Sequence, residues 1–119
     1  MGRMNVTHAN FAGLDLLASA VLLIDESQQI RYLNSSGENL LAVSSRVVLG
    51  KRLIDICSFS STLQAALENS LNNNWGYTGQ NIALTRGDGE TLHLNCTVTP
   101  LRPEIAAGMR LLLELQPIQ

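Results

Sequence analysis

An α+β chain, with antiparallel strands in one sheet and helices gathered on one of its faces, is predicted by three observations. The stretch Ala20–Ala42 reads as strand, polar turn, strand and capped helix. Leu63, Ala66, Leu67, Ser70 and Leu71 then recur at helical spacing. From Tyr77 onward the apolar period drops from about 3.6 residues to about 2, the repeat of half-buried strands. Short helices therefore sit between two groups of strands, and a five-stranded sheet with an N-terminal flanking helix is expected.

Residues 1–7 read as a frayed start or a cloning remnant, and residues 8–119 as a single domain. Phe11, Leu14, Leu17 and Ala18 share one side of an amphipathic helix over His8–Ser19 that would be marginal alone. Ala20–Ile24 is an unbroken apolar run. Val21 and Leu23 point one way and Leu22 and Ile24 the other, so one face meets the core and the second needs cover from the preceding helix or from a partner chain. Asp25–Gln29 supplies the turn, and Ile30–Asn34 alternates again. Ser35-x-x-Glu38 has the spacing of a capping box, with Asn34 an equally good cap, and Leu40 and Leu41 follow on the inner side.

Ser44 or Ser45 can cap a turn carrying Val47, Val48 and Leu49, which Gly50 stops. Lys51–Ile56 makes a short helical or extended piece. Ser58, Ser60 or Ser61 caps the long helix, and Asn72-Asn-Asn-Trp-Gly76 ends it with residues that tolerate left-handed geometry. Ile82 and Leu84 share a face of the next strand, and Gly87-Asp-Gly89 is a hairpin turn. Leu92, Leu94, Cys96 and Val98 alternate with Thr91, His93, Asn95, Thr97 and Thr99. After a loop at 103–108, Met109, Leu111, Leu113 and Leu115 line one face of the last strand, with Arg110, Glu114 and Gln116 opposite. Leu112 interrupts that polar side, so apolar area is expected on the sheet's outer surface.

A chain of 119 residues, 45% hydrophobic and 15% charged, can bury around two-thirds of its unfolded surface in one core. A net charge of −2 gives no basic footprint for nucleic acid or anionic lipid. Its longest apolar run falls well short of the ~20 residues that span a bilayer, and no charged-then-apolar leader precedes it; a cytoplasmic location is expected. Cys57 and Cys96 lack metal-ligand spacing and read as buried thiols. No Gly-rich phosphate loop, HExxH or G-x-S-x-G motif occurs. Asp25, Glu38 and Asp55 read as turn and cap groups rather than an acid/base pair, and His93 as a solvated or cross-strand-paired side chain. This stretch is therefore expected to have no catalytic residues and no metal site.

In order, Leu-Leu-Ile-Asp25, Ile30-Arg-Tyr-Leu-Asn34, Glu38-Asn-Leu-Leu41, Leu49-Gly-Lys-Arg-Leu-Ile-Asp55 and Gly87-Asp-Gly89 resemble the motif series of PAS domains along nearly the whole chain. The resemblance implies a PAS fold. Leu14–Asp25, Asn39–Arg46 and Leu111–Ile118 are similar, more narrowly, to the N-terminal sensor region of nitrogen-regulation histidine kinases of the NtrB family. That likeness implies a fragment of a longer, ATP-dependent two-component protein-histidine kinase. The family's partners would be a PII-type signal protein, acting on the kinase portion, and the response regulator NtrC.

PAS domains that bind flavin carry a reactive cysteine in an Asn-Cys-Arg-like helix, whereas Cys57 follows Asp-Ile. Haem-binding members use a histidine on the long helix, and the stretch Thr62–Leu71 has none. No cofactor is expected in this stretch. The favoured reading is a module that dimerises and passes a conformational signal, with Phe11, Leu14, Leu17, Val21, Leu23 and Leu112 as candidate interface residues. The alternative is a sensor whose cavity takes a small metabolite, lined by Leu63, Leu67, Leu92, Leu94 and Met109.

Overall fold

The computed structural model describes residues 19–102 and 108–118. The expected helix at His8–Ser19, with Phe11, Leu14 and Leu17, lies outside the described residues up to Ala18, as does most of the loop at 103–108. Strands β1 (Ala20–Asp25) and β2 (Ile30–Leu33) form the opening hairpin, and helices α1 (Ser35–Leu41), α2 (Ser45–Val48) and α3 (Leu53–Ile56) follow. Then come a short strand β3 (Cys57–Phe59), the long helix α4 (Ser61–Asn73), and strands β4 (Tyr77–Arg86), β5 (Thr91–Pro100) and β6 (Met109–Pro117). Among the described residues the sheet has six strands in the order β2-β1-β6-β5-β4-β3, and neighbouring strands pair antiparallel.

The strand beyond the five expected is β3, three residues that pair with the end of β4 at the sheet's edge. Cys-Ser-Phe is too short for a periodic signal, and its extended backbone comes from the pairing across the sheet rather than from local preference.

Alternation decides the inner face. Leu22 and Ile24 of β1, Leu84 of β4, Leu94, Cys96 and Val98 of β5, and Leu111, Leu113 and Leu115 of β6 meet Leu63 and Leu67 of α4 in one continuous cluster. Leu41, Val48 and Leu53 anchor the three short helices in the same core. None of those helices would persist alone, being seven, four and four residues long.

The caps resolve what the spacing left open. Asn34 rather than Ser35 caps α1, its side chain accepting from Gly37 N. Glu38 does not close a box. Its Oε2 accepts from Ser45 N at 2.7 Å and ties α1 to the start of α2. Ser60 caps α4 by accepting from Leu63 N, and Asn74 ends it at φ 60.

Three irregularities shift the alternation. Ile24 faces Leu111 but Asp25 faces Met109, so β6 holds one residue more than β1 at that point. The extra residue moves Met109 to the outer side, against Leu23, and turns Arg110 toward the helices. This corrects the period-two reading, which put Met109 inside and Arg110 outside. A second bulge sits in the β1–β2 pairing and a third in β4, where Asn81 adopts φ 55 and its N–H donates to Asn95 Oδ1.

Arg110 Nη2 donates to Leu71 O at 3.1 Å, and Arg86 Nη1 donates to Leu40 O at 3.3 Å. Neither α4 nor α1 carries a basic residue in its last turn. The sheet therefore supplies the cation that each helix's negative end favours.

Candidate interaction surface

The register lays the outer face out in rows. Tyr32 of β2, Leu23 of β1, Leu112 of β6 and Thr99 of β5 stand side by side. The next row runs Val21, Glu114, Thr97 and Thr78 from β1 to β4. Apolar side chains thus occupy the β2–β1–β6 side, and hydroxyls take over across β5 and β4. Leu23 and Met109 form a buried outer cluster, with Tyr32, Leu101 and Leu112 packed against it.

Of the candidate interface residues, Val21 and Leu23 are 1% and 3% exposed and Leu112 is half-buried. The structure brings Leu23 and Leu112 into direct register, while Val21 faces Glu114 one pair away. Sequence reasoning missed Tyr32, Leu101 and Met109 as parts of this surface. Alternation alone would put Tyr32 on the side of the buried Ile30. The extra residue of β2 between the Leu23–Tyr32 and Ile24–Ile30 pairs turns it outward, so it was not legible in the sequence.

Of the candidate cavity residues, Leu63, Leu67 and Leu94 are almost wholly buried in the core cluster, and the partly buried Leu92 packs against it. Met109 is absent from that group for the reason given above: the bulge turns it outward. Two polar atoms on α4, Ser70 Oγ and Gln64 Oε1, are buried with no hydrogen-bond partner.

The start of β1 is clamped. Asn34, fully buried, accepts from Val21 N at 2.9 Å and from Gly37 N at 2.8 Å, and its Nδ2 donates to Ser19 O at 2.9 Å. Gln116 Nε2 donates to Ser19 Oγ at 2.8 Å, so the start of β1 and the end of β6 lie side by side. At the other end of β1, Asp25 Oδ1 accepts from Ser27 N and Gln29 N, which closes the turn, and Arg31 reaches Oδ2 at 3.4 Å. The carboxylate expected to be a turn group is one.

Chemistry is sparse. Burial pushes the thiols of Cys57 and Cys96 up to about 12, so both stay neutral and poorly nucleophilic. The side chain of Asp88 accepts from Arg86 and from Glu90 N, which hold its carboxyl below the ordinary range in the β4–β5 turn. His93 is exposed on β5, opposite Ala83. Among the described residues, no group of three or more His, Cys, Asp or Glu side chains could hold a metal ion. No helix among them is long and apolar enough to cross a membrane.

Comparison with known proteins agrees with this geometry. The family model of the PAS fold matches residues 10–110. The sensory histidine kinase/phosphatase NtrB of Escherichia coli O157:H7 is 33% identical over 105 residues, covering 88% of this chain and 28% of that protein. The chain thus spans little more than a quarter of the length of the relative it matches. Among solved structures, the PAS domain of nitrogen regulation protein NR(II) from Vibrio parahaemolyticus superimposes with a TM-score of 0.76 at 26% identity, covering 92% of this chain and 97% of that one. A PAS domain from Colwellia psychrerythraea shares the fold at a TM-score of 0.77 and 16% identity, over 95% of this chain and 97% of that one.

Proposed function

The chain belongs to the PAS-fold family, and on that premise we propose that it is the regulatory and dimerisation module of a nitrogen-regulation sensor histidine kinase of the NtrB kind. In this reading it passes a conformational signal to a C-terminal kinase region. Catalysis then rests outside this domain, on a phosphorylated histidine and an ATP site in the kinase region. The partners of the whole protein are a PII-type signal protein and the response regulator NtrC.

One observation carries the reading: the partly exposed Tyr32 and Leu112, on the face turned away from the helices, flank the buried Leu23 in one apolar row. Apolar side chains left partly exposed on an outer sheet face, as Tyr32 and Leu112 are, offer a surface for something to pack on. A two-fold pairing of identical faces is the commonest way to supply it. β1 and β6 pair along their length, and Gln116 Nε2 donates to Ser19 Oγ, so the end of β6, where the kinase region would follow, lies beside this face.

The test is a fusion in which this chain replaces the matching 105 residues of the E. coli relative. ATP-dependent histidine phosphorylation should persist in the fusion and should fall when Leu112→Glu is introduced. Equal phosphorylation with the segment deleted would contradict the reading.

A second reading is favoured by Ser70, whose hydroxyl is buried and unpartnered on the core side of α4. A small polar metabolite between α4 and the sheet would satisfy it. Native mass spectrometry of the purified chain checks this, by a mass increment that Ser70→Ala removes.

A further inference from the structure

We propose that the α2–α3 segment, from Arg46 to Ile54, is a preformed docking site for an acidic protein segment with apolar side chains among its carboxylates. This site is separate from the outer sheet face and does not depend on it.

Three of the large apolar side chains left in solvent lie within this segment: Val47 at 60% exposure, Leu49 at 47% and Ile54 at 50%. Interleaved with them are Arg46, Lys51 and Arg52, all exposed. Arg31, Arg86 and Arg110 each have a carboxylate within ion-pair distance. Arg46, Lys51 and Arg52 have none among the described residues. Of the eight Lys and Arg in a chain of net charge −2, three fall within these few positions, so the segment is a local reversal of sign. Asp55 is the nearest acidic residue in sequence.

The segment is held rather than loose. Val48 and Leu53, each 2% exposed, insert into the core between the exposed positions. Gly50 N donates to Ile30 O and Ile30 N to Lys51 O, both at 2.8 Å, while Leu53 N donates to Gln28 O at 3.0 Å. These bonds cover the free edge of β2 and fix the backbone on which the three apolar side chains and three cations stand. A surface already ordered loses little conformational entropy when a partner docks.

Charge complementarity selects the occupant. Cations interleaved with exposed apolar side chains along one held segment match carboxylates interleaved with apolar side chains in a partner segment. A membrane surface is the poorer match. Polybasic lipid sites gather about four to eight cations, and the negative remainder of this chain would be repelled by anionic headgroups.

The test uses the purified chain and three fluorescent model peptides: a Glu/Leu amphipathic helix, its Gln/Leu analogue, and a Lys/Leu version. Vesicles of phosphatidylglycerol serve as the fourth probe. The Glu/Leu peptide should bind best and weaken as salt rises. The triple variant Arg46→Glu, Lys51→Glu, Arg52→Glu should lose roughly tenfold or more in affinity, and Leu49→Ser with Ile54→Ser should weaken binding while keeping its salt dependence. Equal binding of all three peptides, no loss in the charge variant, no binding at all, or preference for the vesicles would overturn the proposal.

Discussion

The two faces of the sheet do different work with the same strands. The inner face is a closed problem: alternate residues of β1, β4, β5 and β6 meet α4 and the anchors of α1 to α3 in a single cluster. The outer face is divided, apolar across β2, β1 and β6 and hydroxyl-rich across β5 and β4. The inner face holds the larger cluster, while Leu23 and Met109 bury a smaller one on the outer side. On the proposed reading, the partly exposed Tyr32 and Leu112 of that apolar half are where a second copy would dock.

If the inner face carries stability, truncating it should produce the largest effect. Leu67→Ala, at a fully buried position on α4, should cost about 2–5 kcal/mol in urea unfolding. Asn34→Ala should cost about 1–3 kcal/mol, because the buried N–H groups of Val21 and Gly37 lose their acceptor. Replacing Arg110 by Met, which removes the cation from the end of α4, should cost about 0.5–1 kcal/mol. The outer face should respond in the opposite sense, with Leu112→Glu changing association far more than thermal stability.

Two titrations sharpen the contrast between a dry interior and a wet rim. The thiols of Cys57 and Cys96 have folded pKa values raised from 9.0 to about 12. Their contribution to stability is complete below 9.0 and is lost as the pH rises toward 12. Melting temperature should fall across that alkaline window by less in Cys57→Ala with Cys96→Ala than in the parent, each measured against its own value near neutrality. Asp88 has a lowered folded pKa, so its contribution is present above the ordinary 3.8 and disappears as the pH drops below it. A slightly smaller acid-limb slope in Asp88→Asn is the smallest effect expected.

Period and punctuation made most of the architecture legible. The Asp25 turn, the Gly87-Asp-Gly89 hairpin, the Asn74 terminus and the buried Leu94, Cys96 and Val98 all follow from local chemistry. What stayed hidden depends on pairing between distant strands. The extra residue at Arg110 exists only because β6 must match β1, and it sent Met109 outward and Arg110 inward against the simple alternation. β3 is visible only through its partner β4. Tyr32 shares its parity with the buried Ile30, so both its outward turn and its place beside Leu23 and Leu112 needed the register. The exposure of Val47, Leu49 and Ile54 was equally hidden, because turns of four residues carry no face that sequence alone can orient.

Sedimentation velocity of the purified chain at high micromolar concentration tests the central claim most directly, namely that the outer apolar row joins two copies. The wild type should sediment as a dimer and Leu112→Glu as a folded monomer. A wild-type chain that sediments as a clean monomer, or a Leu112→Glu chain that remains dimeric, would contradict it.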